Sequence, residues 1–250
     1  MPSKNGRELL IIMPAYNEEE CIGPFLDKLN DEGLSEIADV LVINDGSTDD
    51  TSKIAKSKGA RVITHIYNLG YGSALQSGYK FAVRYGYDYV IQIDSDGQHD
   101  PCNIKTILTE LKSCDNPPDI VIGSRFFQNS QTFHISWIKR ITIGFFRFMI
   151  HQSTKQVVLD PTSGLQGLNK RAFLYYSYYN NFNHEYPDAN MIIQTLLNDY
   201  VIKEVPAIMH PRETGTSMHS GLKPIMYVLK MMLEILTVIA REKLIRGKRR

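Results

Sequence analysis

Five short apolar runs, each followed by a polar turn and then by a stretch with helical spacing, restrict this chain to few folds. Leu9 to Met13, Val40 to Ile43, Arg61 to Thr64, Tyr89 to Ile93 and Asp119 to Ile122 read as strands. Glu19 to Asn30, Thr51 to Lys58, Gly72 to Tyr85 and Asn103 to Lys112 read as the helices between them. Such alternation calls for a mainly parallel sheet whose right-handed crossovers cover both faces. With 250 residues, 43% of them hydrophobic, the chain can bury a core of that size. In parallel sheets of this kind ligands bind in the crevice outside the strand carboxyl ends. Five polar motifs fall at that edge: Pro14 to Glu18, Asn44 to Thr48, Asn68 to Gly72, Asp94-Ser95-Asp96, and Gly123 to Phe126.

The most chemically specific of these is YVIQIDSDGQHDP, residues 89–101, where an apolar run ends in two aspartates one residue apart. Asp94 and Asp96 can turn their oxygens toward one hard cation, and Gln98 adds a neutral oxygen. Alone, the stretch reads first as a surface turn, since Asp, Ser and Gly are turn formers, and it is the company of the other four motifs that favours a ligand. The other loops carry similar pairs of readings. Asp45, with Gly46-Ser47-Thr48, suits either an N-cap for the helix near Thr51 or a ligand contact. Tyr16 offers a flat face for a base, and Glu18 an acceptor for a ribose hydroxyl. Asn68 to Gly72 lacks both the dinucleotide fingerprint and a P-loop lysine. Arg125 suits either an acidic neighbour or a phosphate. A net charge of +1 argues against a nucleic-acid partner. Three cysteines without paired spacing suggest neither a disulfide framework nor a zinc site, and the apolar run at Leu9 is too short for a secretory signal. These features favour a reducing compartment inside the cell.

Taken together, PAYNE, NDGSTDDT, NLGYGSALQSGY, QIDSDGQHDP and GSRF resemble the successive signatures of the family-two inverting glycosyltransferases of GT-A fold. The branch they resemble includes dolichyl-phosphate mannose synthase and bacterial lipid-linked sugar transferases. The resemblance implies an α/β catalytic domain over residues 1–221, followed by an amphipathic helix and basic tail over 222–250. It implies nucleotide-sugar contacts at Pro14, Ala15, Tyr16, Glu18, Ile43, Asp45, Ser95 and Arg125, and Mg2+ or Mn2+ at Asp94, Asp96 and Gln98. It also implies a diphosphate-closing loop carrying Arg212 and Ser217, and places Asp160 to Gly164 beside the donor sugar. The stretch His184 to Asp188 resembles the segment whose acid receives the acceptor's proton. Asp188 takes that place with Glu185 in reserve, because Asn190 stands where a second acid is common. An acceptor that is itself an ionised phosphate would need no base.

Two late segments read by physics alone are amphipathic. Ile135 to Ile150 is too short and too charged to span a bilayer, leaving a core helix or a helix on a membrane face. In Leu222 to Arg241 the residues Lys230, Glu234, Thr237 and Arg241 form a narrow polar stripe on an otherwise apolar helix. The end, REKLIRGKRR, carries six basic residues against one acid. That combination suits an anionic cytoplasmic membrane surface, with an oligomer contact or packing on the catalytic domain as alternatives. The function expected is therefore transfer of a sugar from a nucleotide-diphosphate sugar to a polyprenyl-phosphate or other lipid-linked acceptor, by a peripheral enzyme at the inner face of the cell membrane. A soluble saccharide or protein acceptor, or sugar-nucleotide binding without turnover, are the alternatives. A nucleotidyltransferase would want a glycine-rich basic loop where PAYNE stands.

Overall fold

A computed structural model describes residues 6–113, 115–131, 137–211 and 223–248. Its centre is β1, Leu9–Ala15, whose seven residues are all buried. A run of Leu, Ile and Met without alternation is what a strand needs when parallel neighbours flank it and helices cover both its faces. β1 pairs in parallel with β2 (Ala38–Asn44) on one side and β4 (Tyr89–Gln92) on the other. The sheet continues through β3 (Arg61–Thr64), β5 (Ile120–Ser124), β6 (Gln166–Asn169) and β7 (Ile202–Pro206) in the order β3-β2-β1-β4-β6-β5-β7. β6 is antiparallel to β4 and β5, and every other pair is parallel. The mainly parallel α/β sheet expected from the alternation is thus present, with one reversed strand inserted between β4 and β5.

The period of two along β1 sorts the core into two layers. Leu9, Ile11 and Met13 pack with α1 (Glu19–Asp31), α3 (Thr51–Ser57) and α5 (Cys102–Leu111). A one-turn helix, α2 (Leu34–Ile37), adds Leu34 to the same layer. Leu10 and Ile12 face the other layer, formed by α4 (Tyr71–Tyr85), α6 (Trp137–Thr154), α7 (Lys170–Ser177), α8 (Ala189–Leu197) and α9 (Lys223–Lys248). Each Leu or Ile so buried contributes on the order of 1.5–3 kcal/mol relative to exposure.

The helix foreseen over Leu222 to Arg241 is longer than expected and continues through the basic stretch to Lys248. Its Met231, Ile235 and Val238 lie in the same apolar cluster as Leu10 and Ile12. Met226, Leu229, Leu233 and Leu236 stay exposed, at alternating steps of three and four residues. The helix therefore carries one apolar face inward and a second outward, separated by its polar residues. Among the described residues no helix is long and apolar enough to cross a membrane.

Candidate active site

At the carboxyl edge of the sheet the loops after β1, β2, β4 and β5 converge, as parallel topology requires. The β1 and β2 loops are locked to each other. Asp45 accepts hydrogen bonds from Leu69 N at 2.9 Å and Gly70 N at 2.8 Å, and pairs with His65 Nδ1 at 2.7 Å. With only 4% of its surface exposed, its carboxylate braces the Asn68–Gly70 loop from inside. It does not cap α3, since Asp49 Oδ1 accepts the Thr51 N–H instead. Asn17 and Glu18 donate their backbone N–H groups to Ser47 Oγ and Thr51 Oγ1, which ties PAYNE to the second loop.

Within that rim the residues implied for the nucleotide sort by what they expose. Tyr16, just past the end of β1, is 48% exposed. Ala15 and Ser95 are buried, the Ala15 carbonyl accepting from Asp45 N and Ser95 Oγ donating to the Pro14 carbonyl at 2.9 Å. Ile43 is completely buried in the core cluster, so its side chain faces the helices and only its backbone lies at the rim.

Asp94 and Asp96 stand just past β4. Tyr71, the first residue of α4, donates its hydroxyl proton to Asp94 Oδ1 at 2.9 Å. Burial, then the Asp94 charge, raise the Tyr71 phenol well above its ordinary value, so it stays a donor. Gly164 packs so closely that a Cβ there would lie 2.3 Å from Asp94 Oδ2. The D-x-x-S-G turn thus meets the D-x-D through a glycine because no side chain fits between them. Asp96 Oδ1 accepts the Gln98 N–H at 3.0 Å, an Asx turn that shapes the loop. The buried His99 lies beside it, with Nε2 3.9 Å from Asp94 Oδ2, and burial lowers its pKa to about 4, keeping it neutral. The Gln98 carbonyl accepts from His210 N at 2.7 Å, so the strand leading to residue 211 runs against this loop. Arg212 and Ser217 lie outside the described residues.

A divalent cation fits this donor set on chemical grounds. Asp94 and Asp96 supply hard carboxylate oxygens on one loop, and Mg2+ is commonly held by one or two carboxylates together with substrate phosphates and water. Among the described residues no group of three or more His, Cys, Asp or Glu is gathered as a complete cage.

Arg125 is 7% exposed and is committed inward. Its Nε and Nη2 form a bidentate pair with Asp160 at 2.7 and 2.6 Å, and Nη2 also reaches Thr162 Oγ1 at 2.8 Å. Of the two readings open for Arg125, the acidic neighbour is realised, and the salt bridge pins the Asp160 turn under the site. Lys139 on α6 lies in the electrostatic field of Arg125, Asp160, Asp94 and Asp188, a cation the sequence had assigned only to an amphipathic segment.

The far wall is the loop before α8. Gly72 allows it to close on α4, because a Cβ there would lie 2.3 Å from the Asn183 carbonyl. Asp188 Oδ2 accepts the Tyr227 hydroxyl at 2.6 Å, and burial, with the Asp94 charge adding to it, raises the Asp188 carboxyl to about 6. Asn190, where an acid is common, is buried and its Oδ1 accepts the Asp188 and Met191 N–H groups. Glu185 is exposed and pairs with Lys230 of α9. Tyr71 and Tyr227 escaped sequence reasoning. The only signal for each was a tyrosine in a stretch whose neighbours were assigned other tasks.

The model for Glycosyl transferase family 2 matches residues 10–176, two thirds of the chain. An uncharacterised protein of Methanocaldococcus jannaschii is 35% identical over 168 residues, 67% of this chain and 67% of its own length. An undecaprenyl-phosphate mannosyltransferase of Micrococcus luteus is 34% identical over 47% of this chain, which spans only 48% of that protein. A polyprenol monophosphomannose synthase of Mycolicibacterium smegmatis is 24% identical over 85% of this chain and 81% of its own. Among solved structures, glucosyl-3-phosphoglycerate synthase from Mycobacterium tuberculosis with Mn2+ and UDP-glucose superposes with a TM-score of 0.67 at 20% identity, covering 94% of this chain and 79% of that one. Both the likeness in fold and the family match over the sheet's carboxyl rim lead to one assignment: this chain belongs to the family-two glycosyltransferases and has their GT-A fold.

Proposed function

We propose that this enzyme transfers a sugar, with inversion and with the help of Mg2+ or Mn2+, from a nucleotide-diphosphate sugar to a polyprenyl phosphate at a membrane surface. The observation that carries the reading is that the first turn of α4 links the two acidic loops: Tyr71 donates to Asp94, Ser73 N donates to the His184 carbonyl, and Asp94 and Asp188 lie in each other's field. Tyr16 stacks on the base and Glu18 takes a ribose hydroxyl. Asp94 and Asp96 hold the cation, with the Gln98 side chain as a further oxygen. When bound, the cation supplies Lewis-acid stabilisation of the diphosphate leaving group. The bond from the anomeric carbon to the diphosphate oxygen breaks, its electron pair leaving with the nucleoside diphosphate. An acceptor oxygen bonds to the opposite face of the same carbon. Lys139 and the Asp188 loop face that acceptor, the lysine drawing its phosphate and Asp188 receiving any proton it still carries. The two relatives named for undecaprenyl phosphate and polyprenol support a lipid phosphate over a soluble acceptor. The outward apolar face of α9, next to the basic run at its end, supports a membrane surface.

A thermal-shift screen with Mn2+ and UDP-, GDP- and dTDP-sugars, followed by transfer assays to undecaprenyl phosphate and to free saccharides, tests the reading. A donor present at about 100 times its Kd stabilises by about 2.7 kcal/mol, a rise of roughly 5–10 °C for a chain of this size. Metal-independent transfer, or transfer only to free saccharides, removes the proposal. Sedimentation with anionic liposomes, weaker after deletion of residues 242–250, tests the membrane contact. A soluble dimer that ignores liposomes replaces it.

A further inference from the structure

We infer that α9 is part of the reaction apparatus, with Tyr227 as a positioning residue that orients Asp188 through its hydroxyl. The inference rests on the reading of Asp188 as the acceptor-side carboxylate. Four observations lead to it. The Tyr227 hydroxyl donates to Asp188 Oδ2 at 2.6 Å, which fixes one carboxylate oxygen. Lys230, three residues further along the helix and therefore on the same side, pairs with Glu185 of the same loop. The Tyr227 ring is wedged edge-on between Tyr186, centroids 5.2 Å apart, and Phe146 of α6, 6.0 Å apart. The helix is anchored behind these contacts by Met231, Ile235 and Val238 in the main core. Helix and loop are thus joined at both candidate acids.

The bond has a direction. A phenol donates to a carboxylate far better than to a carboxylic acid, so Tyr227 favours the ionised form of Asp188 and opposes the burial that disfavours it. Asp188 also feels Asp94 after β4, Arg125 after β5 and Lys139 on α6, while its own charge is felt by Tyr71 on α4. Arg125 and Lys139 act with Tyr227, and Asp94 acts against it. A base held mostly ionised near neutrality, with one oxygen immobilised, is what proton removal from an acceptor requires. Residues 223–248 are consequently needed for turnover itself, beyond any role in attachment.

The test is Tyr227→Phe, which keeps the ring contacts and deletes the donor, in the full chain. Side-chain carboxyl signals are followed by 13C NMR from pH 4 to 8, with Asp188→Asn identifying the Asp188 signal by its loss. In parallel, the pH profiles of kcat and KM are measured with undecaprenyl phosphate and the sugar nucleotide that turns over. The expected result is a rise of about one pH unit in the Asp188 midpoint, the size of one hydrogen bond to a charged group. The acidic limb of kcat moves up with it and KM for the donor hardly changes, while the melting temperature at neutral pH falls only by the few degrees that a midpoint shift of this size implies. An unmoved midpoint overturns the inference, as does a fall in activity that follows only a fall in melting temperature. Full activity of Asp188→Asn with a moved midpoint in Tyr227→Phe keeps the hydrogen bond but removes Asp188, and with it α9, from the reaction.

Discussion

The two walls of the crevice are built in opposite ways. The wall proposed for the donor is mostly local: Asp45, Ser95, Asn17 and Glu18 are engaged by neighbouring loops from the first 100 residues, with Gly164 and His210 joining from later in the chain. The wall proposed for the acceptor is assembled from α6, the loop at 183–188 and α9, three segments far apart in the chain that meet through Tyr227, Lys230 and the aromatic wedge. Nucleotide diphosphates are a constant of the chemistry and can be met by fixed backbone and short side chains. Acceptors vary, and a wall carried on separate helices can be altered without disturbing the sheet.

Three substitutions probe this contrast. The largest effect is expected for Asp96→Ala on the donor wall, where losing a cation ligand should lower metal-dependent kcat by roughly 10³-fold or more, several kcal/mol of leaving-group stabilisation. Steady-state kinetics across a Mn2+ titration measures it, and unchanged activity would remove the cation from Asp96. Next is Gly164→Ala, which keeps every donor but places a methyl group 2.3 Å from Asp94 Oδ2. Displacing that carboxylate, at roughly 1–3 kcal/mol of overpacking, should cost about 10- to 100-fold in kcat/KM with the metal requirement shifted upward. A variant with wild-type metal dependence would show that Asp94 has room the present packing does not suggest. The smallest effect is expected for Lys230→Ala. The pair with Glu185 is exposed at both ends, and surface ion pairs are screened. The melting temperature and KM for the donor should stay within error, with only acceptor KM rising slightly at low salt. A large fall in donor affinity would mean that the two walls are not separable.

The pH dependence follows the same division. Asp188, raised to about 6 by burial, is a group whose folded value lies above its unfolded one near 3.9. Holding it ionised therefore weakens the fold above pH 6, and that cost is progressively relieved as pH falls from 6 toward 4. Activity that needs the ionised form should run the opposite way and fall through the same interval. A site that loses rate where the fold gains from this one group is what a base held for function rather than stability looks like.

Much of this was legible along the chain. The strands at Leu9, Ala38, Tyr89 and Ile120 lie where apolar runs placed them, because a strand buried on both faces declares itself in composition, and the half-buried edge strand at Arg61 was found by its β-branched Val62, Ile63 and Thr64. From that order the convergence of Tyr16, Asp45 and Asp94 at one edge follows by topology. Four features were settled by contacts between distant residues. These are the reversal of β6, the inward turn of Arg125 onto Asp160, the burial of Ile43 and the use of Asp45 as an internal brace. The second apolar face of α9 and its grip on Asp188 belong with them. A sequence displays periodicity and residue type, so it determined the sheet, its helices and the rim on which chemistry would occur. Which of two neighbouring polar groups a side chain meets depends on separations of a few ångströms between segments up to a hundred residues apart. Only the packing of helix against sheet sets those separations.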